Sequence, residues 1–147
     1  MNEGSELAKI LIVEDNALNI KLFCDLLAAH GHEPEAVTDS RNALEIAKEF
    51  SPDLVITDIQ LPHVSGLELI RLIRADDQLA NVPIMAVTAY SAIGDEERIR
   101  AAGAQAYVSK PISVVRFAQT VEELLPKAEA GGSVNGTAQP DNTGPAE

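Results

Sequence analysis

Cysteine is nearly absent. The one thiol, Cys24, cannot form an internal disulfide, and it has no Cys or His companions at ligand spacing, which argues against both a disulfide scaffold and a zinc site. It is read as a small apolar residue, buried or half-buried. The three histidines, His30, His32 and His63, show no ligand spacing either, and none is assigned a function; His63 is read as a solvated loop residue. No run of about 18 apolar residues long enough to cross a bilayer is present. The opening MNEGSELAK is acidic rather than a basic segment leading into an apolar one, so the expectation is a soluble, cytoplasmic protein. Basic charge is scarce too: 11 Lys and Arg stand against 23 Asp and Glu, a formal net charge of -12. Neutralising phosphates needs Lys and Arg in excess, so the charge argues against nonspecific binding to nucleic acid, and a protein partner or a cation fits better.

What is present is enough for one domain with a core and too little for two: 147 residues, 46% of them apolar. Five short runs, KILIV (9–13), EPEAV (33–37), DLVIT (53–57), PIMAV (83–87) and QAYVS (105–109), read as strands. Between them lie helical patterns at about 16–30, 40–50, 66–75 and 93–102, and a last one follows at about 113–125. In the first helix Leu18, Leu22, Phe23, Leu26 and Leu27 form one broad apolar stripe, ended at Gly31. Asp39 or Ser40 is the expected N-cap of the second, and Ser113 of the last. Alternating strands and helices with continuous apolar strands predict an α/β fold, a doubly wound (βα)5 parallel sheet covered on both faces. Residues 8–125 make the domain. The remainder, 126–147, lacks Leu, Ile and aromatics, has seven Gly or Pro among its 22 residues, and is expected to be a disordered tail. No internal repeat or output domain is visible.

In such sheets the functional crevice lies beyond the carboxyl ends of the strands. Reading only those ends gives Glu14-Asp15, Asp58, Thr88 and Ser109-Lys110-Pro111. Three carboxylates brought to one crevice repel one another and lose solvation, so they need a cation. Hard oxygen ligands suit Mg²⁺, commonly held by one or two carboxylates with phosphate oxygens. Mg²⁺ and Lys110 would offset the charge of an incoming phosphoryl group, Asp58 could attack phosphorus in line, and Thr88 could hydrogen-bond a phosphoryl oxygen. Each placement alone has an ordinary explanation, such as a helix-start acid pair or a surface lysine. The joint pattern at four strand ends does not.

The stretches LIVEDN (11–16), DLVITDIQLPHVSGLEL (53–69), PIMAVTA (83–89) and AYVSKP (106–111) resemble the receiver domain of two-component response regulators. Within that family LNIKLFCDLL, GDEERIR and SKPISVV are similar to single-domain cell-cycle regulators of alphaproteobacteria. The resemblance implies that Asp58 is the phosphoacceptor, taking a phosphoryl group from a phosphohistidine on a kinase or phosphotransferase. It implies Asp15 as a direct Mg²⁺ ligand, Glu14 acting through a water, and the backbone carbonyl of Gln60 as a further ligand. Lys110 matches the family's lysine, the bond to Pro111 is a cis candidate, and Thr88 with Tyr107 match the switch pair. Gln60 and Tyr90 match positions that tune the lifetime of the aspartyl phosphate. Ile20 and Cys24, one helical turn apart, are candidates for a kinase-docking surface. Pro62 and Gly66 fit a turn that opens the next helix. The first acid is Glu where the family more often has Asp, which keeps the charge.

Two other classes fit less well. An aspartyl-nucleophile phosphatase wants a second Asp two residues after the first, and position 60 is Gln. A nucleotide-binding domain wants a glycine-rich first loop, and EDNALN has none. A receiver that binds partners without phosphorylation remains as the alternative, against which the full set of acids, Thr and Lys counts. The output must then be a partner protein, with no nucleic acid and no membrane insertion expected.

Overall fold

The structure is a computed structural model that describes residues 8–89 and 94–125. The expected tail at 126–147 and Tyr90 lie outside the described residues. In chain order the elements are β1 (Lys9–Val13), α1 (Ala17–Ala29), β2 (Glu33–Val37), α2 (Ala43–Phe50), β3 (Leu54–Asp58), α3 (Gly66–Ala75), β4 (Ile84–Thr88), α4 (Asp95–Ala102), β5 (Ala106–Ser109) and α5 (Val114–Leu124). All strand pairs are parallel, in the order β2-β1-β3-β4-β5.

Side-chain alternation divides each strand between two cores. Ile10, Ile12, Leu54, Ile56, Met85 and Val87 point to one face, where Phe23 and Leu27 of α1 meet Phe117 and Val121 of α5. The Phe23 and Phe117 rings stack there with centroids 5.0 Å apart. Leu11, Val13, Val55, Ile84 and Ala86 point to the other, under α2, α3 and α4. β3 and β4 are therefore buried at every residue, which is why they read as uninterrupted apolar runs. β2 is an edge strand in which only Val37 is buried. Its exposed Glu33 and Glu35, with Pro34 lacking an N–H, discourage pairing with a further strand.

The apolar stripe expected on α1 is only partly a core face. Leu18 is 78% exposed and Leu22 is exposed as well. The buried line runs through Phe23 and Leu27, and Leu18 and Leu22 lie about 140° from it around the helix, on a face that the described elements leave exposed. The start of α2 also differs in detail. Asp39, not Ser40, accepts the capping hydrogen bond, from the Arg41 amide, and it caps a 3₁₀ turn at Ser40–Asn42 that leads into the helix. Ser40 itself is buried. His32 is also buried, its Nε2 2.8 Å from Glu122 Oε2, linking the start of β2 to α5.

At the amino ends of β4 and β5, Arg74 ties two loops together, the one before each strand. Its guanidinium donates to the carbonyls of Gly103 (2.9 Å), Ala80 (3.0 Å) and Val82 (2.6 Å) and to Gln105 Oε1 (2.7 Å). Gly103, at φ 128, has no room for a side chain, because a Cβ would lie 2.6 Å from Arg74 Cγ. Among the described residues no helix is long and apolar enough to cross a membrane.

Candidate functional site

β3 carries Asp58 to the open end of the sheet as its last residue, between β1 and β4. Thr88 is likewise the last residue of β4 rather than the first beyond it. After β1, the Glu14 amide still bonds to Val37 O of β2 at 3.1 Å, which keeps the Glu14 backbone in the sheet. Asn16 caps α1, its side chain accepting from the Asn19 amide at 3.0 Å. On the far side the Lys110 amide bonds to Thr88 O at 2.8 Å, and the Lys110–Pro111 peptide is cis.

These supports bring three acids and one ammonium together. Asp58, 4% exposed, accepts from the Gln60 amide on Oδ1 (3.1 Å) and from Lys110 Nζ on Oδ2 (2.9 Å). Glu14, 1% exposed, accepts from the Asn16 amide on Oε2 at 3.1 Å. Its Oε1 is buried without a hydrogen-bond partner, 3.6 Å from Lys110 Nζ. Asp15 is exposed, and one oxygen from each of Glu14, Asp15 and Asp58 lies within 4.8 Å of the others. Burial, and then the charge of Asp58, push the Glu14 carboxyl above its usual range. Burial alone would lower the Lys110 ammonium, but its hydrogen bond to Asp58 and the charges of Asp58 and Glu14 outweigh that and raise it. One ammonium against three carboxylates leaves negative charge in excess, and the orphaned Glu14 oxygen has no donor. A hard oxygen donor set of this kind fits Mg²⁺.

The remaining candidates are arranged around this centre. Gln60 is exposed at the rim, held by its amide on Asp58. Thr88 is fully buried, and Tyr107 is half-buried against the core under α3 and α4. Tyr107 is in register with Ala86, two residues before Thr88, so Thr88 and Tyr107 share one face of neighbouring strands. Ile20 is half-buried, and Cys24 packs against the α1–α5 core. The exposed apolar residues at this end are instead Leu18 and Leu22 of α1 and Val114 and Val115 of α5. His63 is exposed, with φ 72 in the left-handed region.

Two residues important to the site do jobs beyond those expected. Gly66 is the first residue of α3, where the sequence placed the helix start, after Ser65, whose hydroxyl accepts from the Glu68 amide; its further job is a close approach. A Cβ on Gly66 would lie 2.1 Å from Asp58 O and 2.6 Å from Ile59 Cα, so the missing side chain lets α3 start against the acceptor's own backbone. The signal was available: a glycine inside a capped helix costs helix propensity and asks for another reason, here a close approach. Ser40 bonds across to the loop after Asp58, and no local pattern announces that.

The chain belongs to the response regulator receiver domain family, whose model matches residues 10–122. It is similar to the polar-differentiation response regulator DivK of Brucella anthropi, 52% identical over 116 residues, which are 79% of this chain and 94% of that protein. DivK of Brucella ovis is 51% identical over the same shares. Among solved structures, the chemotaxis response regulator CheY4 of Vibrio cholerae superposes with a TM-score of 0.77 at 27% identity, covering 81% of this chain and 99% of that one. The receiver domain of the sensor histidine kinase PA1611 of Pseudomonas aeruginosa PAO1, solved with a magnesium ion coordinated in its active site cleft, gives 0.73 at 31% identity, covering 80% and 96%. The chain is thus a response regulator receiver of DivK-like sequence, a phosphoacceptor of two-component signalling rather than an enzyme with substrate turnover.

Proposed function

We propose that Asp58 accepts a phosphoryl group from a phosphohistidine of a histidine kinase or phosphotransferase in a Mg²⁺-dependent reaction. The signal then passes through phosphorylation-switched protein contacts in the cytoplasm, in cell-cycle or polar-differentiation control. The observation that carries this is Asp58 at the open end of β3, with Lys110 Nζ 2.9 Å away and two further carboxylates beside it. The similarity to DivK supports the cellular role, and the magnesium in the Pseudomonas aeruginosa receiver supports the metal.

Mg²⁺ would be held by Asp15, Asp58 and the Gln60 carbonyl, with Glu14 acting through a water, and would supply positive charge to the phosphoryl oxygens and the crowded acids. An Asp58 carboxylate oxygen forms the new O–P bond as the P–N bond of the donor breaks and the imidazole keeps the electron pair. Lys110, already on Asp58, offers its ammonium to the transferred group, and Thr88 offers its hydroxyl. Drawing Thr88 to the phosphoryl group vacates space for the Tyr107 ring, which changes the face built from α4, β5 and α5. Gln60 and Tyr90 set access for the water that hydrolyses the acyl phosphate, so the receiver assists its own dephosphorylation. Substitutions at both are expected to change the decay rate without preventing phosphorylation.

Docking of the donor is better assigned to Leu18 and Leu22, with Val114 and Val115, than to Ile20 and Cys24. The former are exposed and lie where α1 and α5 begin, at the end of the sheet that holds Asp58. Leu18→Asp is expected to slow transfer from a phosphorylated histidine donor while leaving labelling by acetyl phosphate unchanged; equal slowing of both would move the docking site elsewhere. The central reading is tested by incubating the protein with Mg²⁺ and acetyl phosphate and measuring intact mass. Wild type gains one phosphoryl group, Asp58→Asn gains none, and labelling that survives in Asp58→Asn overturns the assignment.

A further inference from the structure

We infer that Ser40 is a positioning residue for the phosphoacceptor loop, an inference that rests on the reading of Asp58 as the acceptor. The segment from Ile59 to Ser65 joins Asp58 to α3 and carries the Gln60 carbonyl. Its own backbone holds it at both ends. The Gln60 amide bonds to Asp58 Oδ1 at 3.1 Å, and the Gly66 amide bonds to Ile59 O at 2.9 Å. Between these, the crest at Pro62–Val64 turns through His63 at φ 72, a left-handed conformation uncommon for residues other than glycine.

The bond that holds this crest comes from outside the loop. Ser40 Oγ donates to Pro62 O at 2.8 Å and accepts from the Val64 amide at 3.2 Å. One hydroxyl thus bridges the residues on either side of His63 and satisfies a carbonyl and an amide that the left-handed turn leaves unpaired within the loop. Ser40 is 4% exposed, so water does not readily replace it. It is itself fixed by the Asp39-capped 3₁₀ turn, in which the Asn42 amide bonds to Asp39 O at 3.0 Å. Leu61 and Val64 also pack on the core, so losing Ser40 loosens the crest without unfolding the loop. The start of α2 thereby sets the loop on which the Gln60 carbonyl and the Asp58 carboxylate depend. A hydroxyl with both a donor and an acceptor role is needed, which alanine lacks and threonine keeps.

Ser40→Ala and Ser40→Thr are compared with wild type for amide exchange at Val64, Mg²⁺ affinity, and the rate of labelling by acetyl phosphate. In Ser40→Ala, exchange at Val64 is expected to rise about tenfold, near the net worth of one or two hydrogen bonds, with Mg²⁺ affinity and labelling rate each reduced several-fold. Ser40→Thr is expected to recover most of each loss. Labelling and Mg²⁺ binding at wild-type level in Ser40→Ala, or a loss that threonine does not recover, overturn the inference. If wild type takes no label at all, it is the reading of Asp58 that fails, which keeps the two failures distinct.

Discussion

Both ends of the sheet hold a cation against oxygen atoms, and the two arrangements work in opposite ways. At the amino ends of β4 and β5 the Arg74 guanidinium meets three backbone carbonyls and one side-chain amide oxygen, all neutral. At the carboxyl ends the Lys110 ammonium meets two buried carboxylates with a third, exposed one beside them, and one Glu14 oxygen has no donor. A saturated knot of a charge with neutral dipoles fixes loops and asks for nothing more. An unsaturated cluster of like charges is held in place by the rest of the fold and is relieved by a ligand that brings positive charge. Stability is concentrated at one end and binding capacity at the other.

The comparison breaks most visibly at the saturated end. Arg74→Met leaves the carbonyls of Gly103, Ala80 and Val82 without their donor, and such groups cost about 1–3 kcal/mol each when buried and unpaired. Arg74 is half-buried, so water recovers part of this, and a net loss of about 3 kcal/mol is expected in urea denaturation. The labelling rate of the protein that remains folded should not change. A variant of wild-type stability would show that the knot fixes nothing.

At the other end the sign reverses. Glu14 is buried, its carboxyl is pushed up by burial and then by Asp58, and its ionised form therefore works against the fold at neutral pH. Glu14→Gln keeps the shape and removes the repulsion. In metal-free buffer it is expected to raise stability by about 1 kcal/mol, a few degrees in Tm for a domain of this size. Mg²⁺ affinity should fall roughly tenfold, as for loss of a group that acts on the metal through water. A less stable Glu14→Gln protein would mean that the ion pair with Lys110 at 3.6 Å outweighs the repulsion.

Legibility in the sequence follows the same division. Buried parallel strands read as continuous apolar runs, so Asp58 after LVIT, Glu14 after ILIV and Lys110 after YVS stood out as charges where a sheet must open. Thr88 was legible only by its alignment with them. The covered part of α1 was not, because periodicity defines a stripe and not which of its residues, Leu18 and Leu22 or Phe23 and Leu27, a neighbour covers. Nor were Ser40 and His32, whose partners at Pro62 and Glu122 lie 22 and 90 residues away along the chain. A hydroxyl or imidazole that pairs across the fold leaves no local period to read.

The smallest expected effect concerns the turn that carries Ser40. Asp39 bonds through Oδ1 to the Arg41 amide and Nε (3.0 and 3.1 Å) and through Oδ2 to Arg41 Nη2 (2.8 Å). The Arg41 side-chain bond first, then the backbone bond, hold its carboxyl at about 2 against an ordinary 3.8. A carboxyl with a depressed folded value stabilises the fold above the unfolded value, and that contribution is lost as pH falls from about 3.8 toward about 2. The pair is open to solvent, which keeps the gain small. Asp39→Asn should therefore be slightly less stable than wild type at neutral pH, and the two should converge as pH falls through that window. Because Asp39 caps the turn that positions Ser40, protection of the Val64 amide in wild type, taken relative to its intrinsic exchange rate at each pH, should fall over the same window. A Val64 protection indifferent to acid there would separate the cap from the loop it is argued to support.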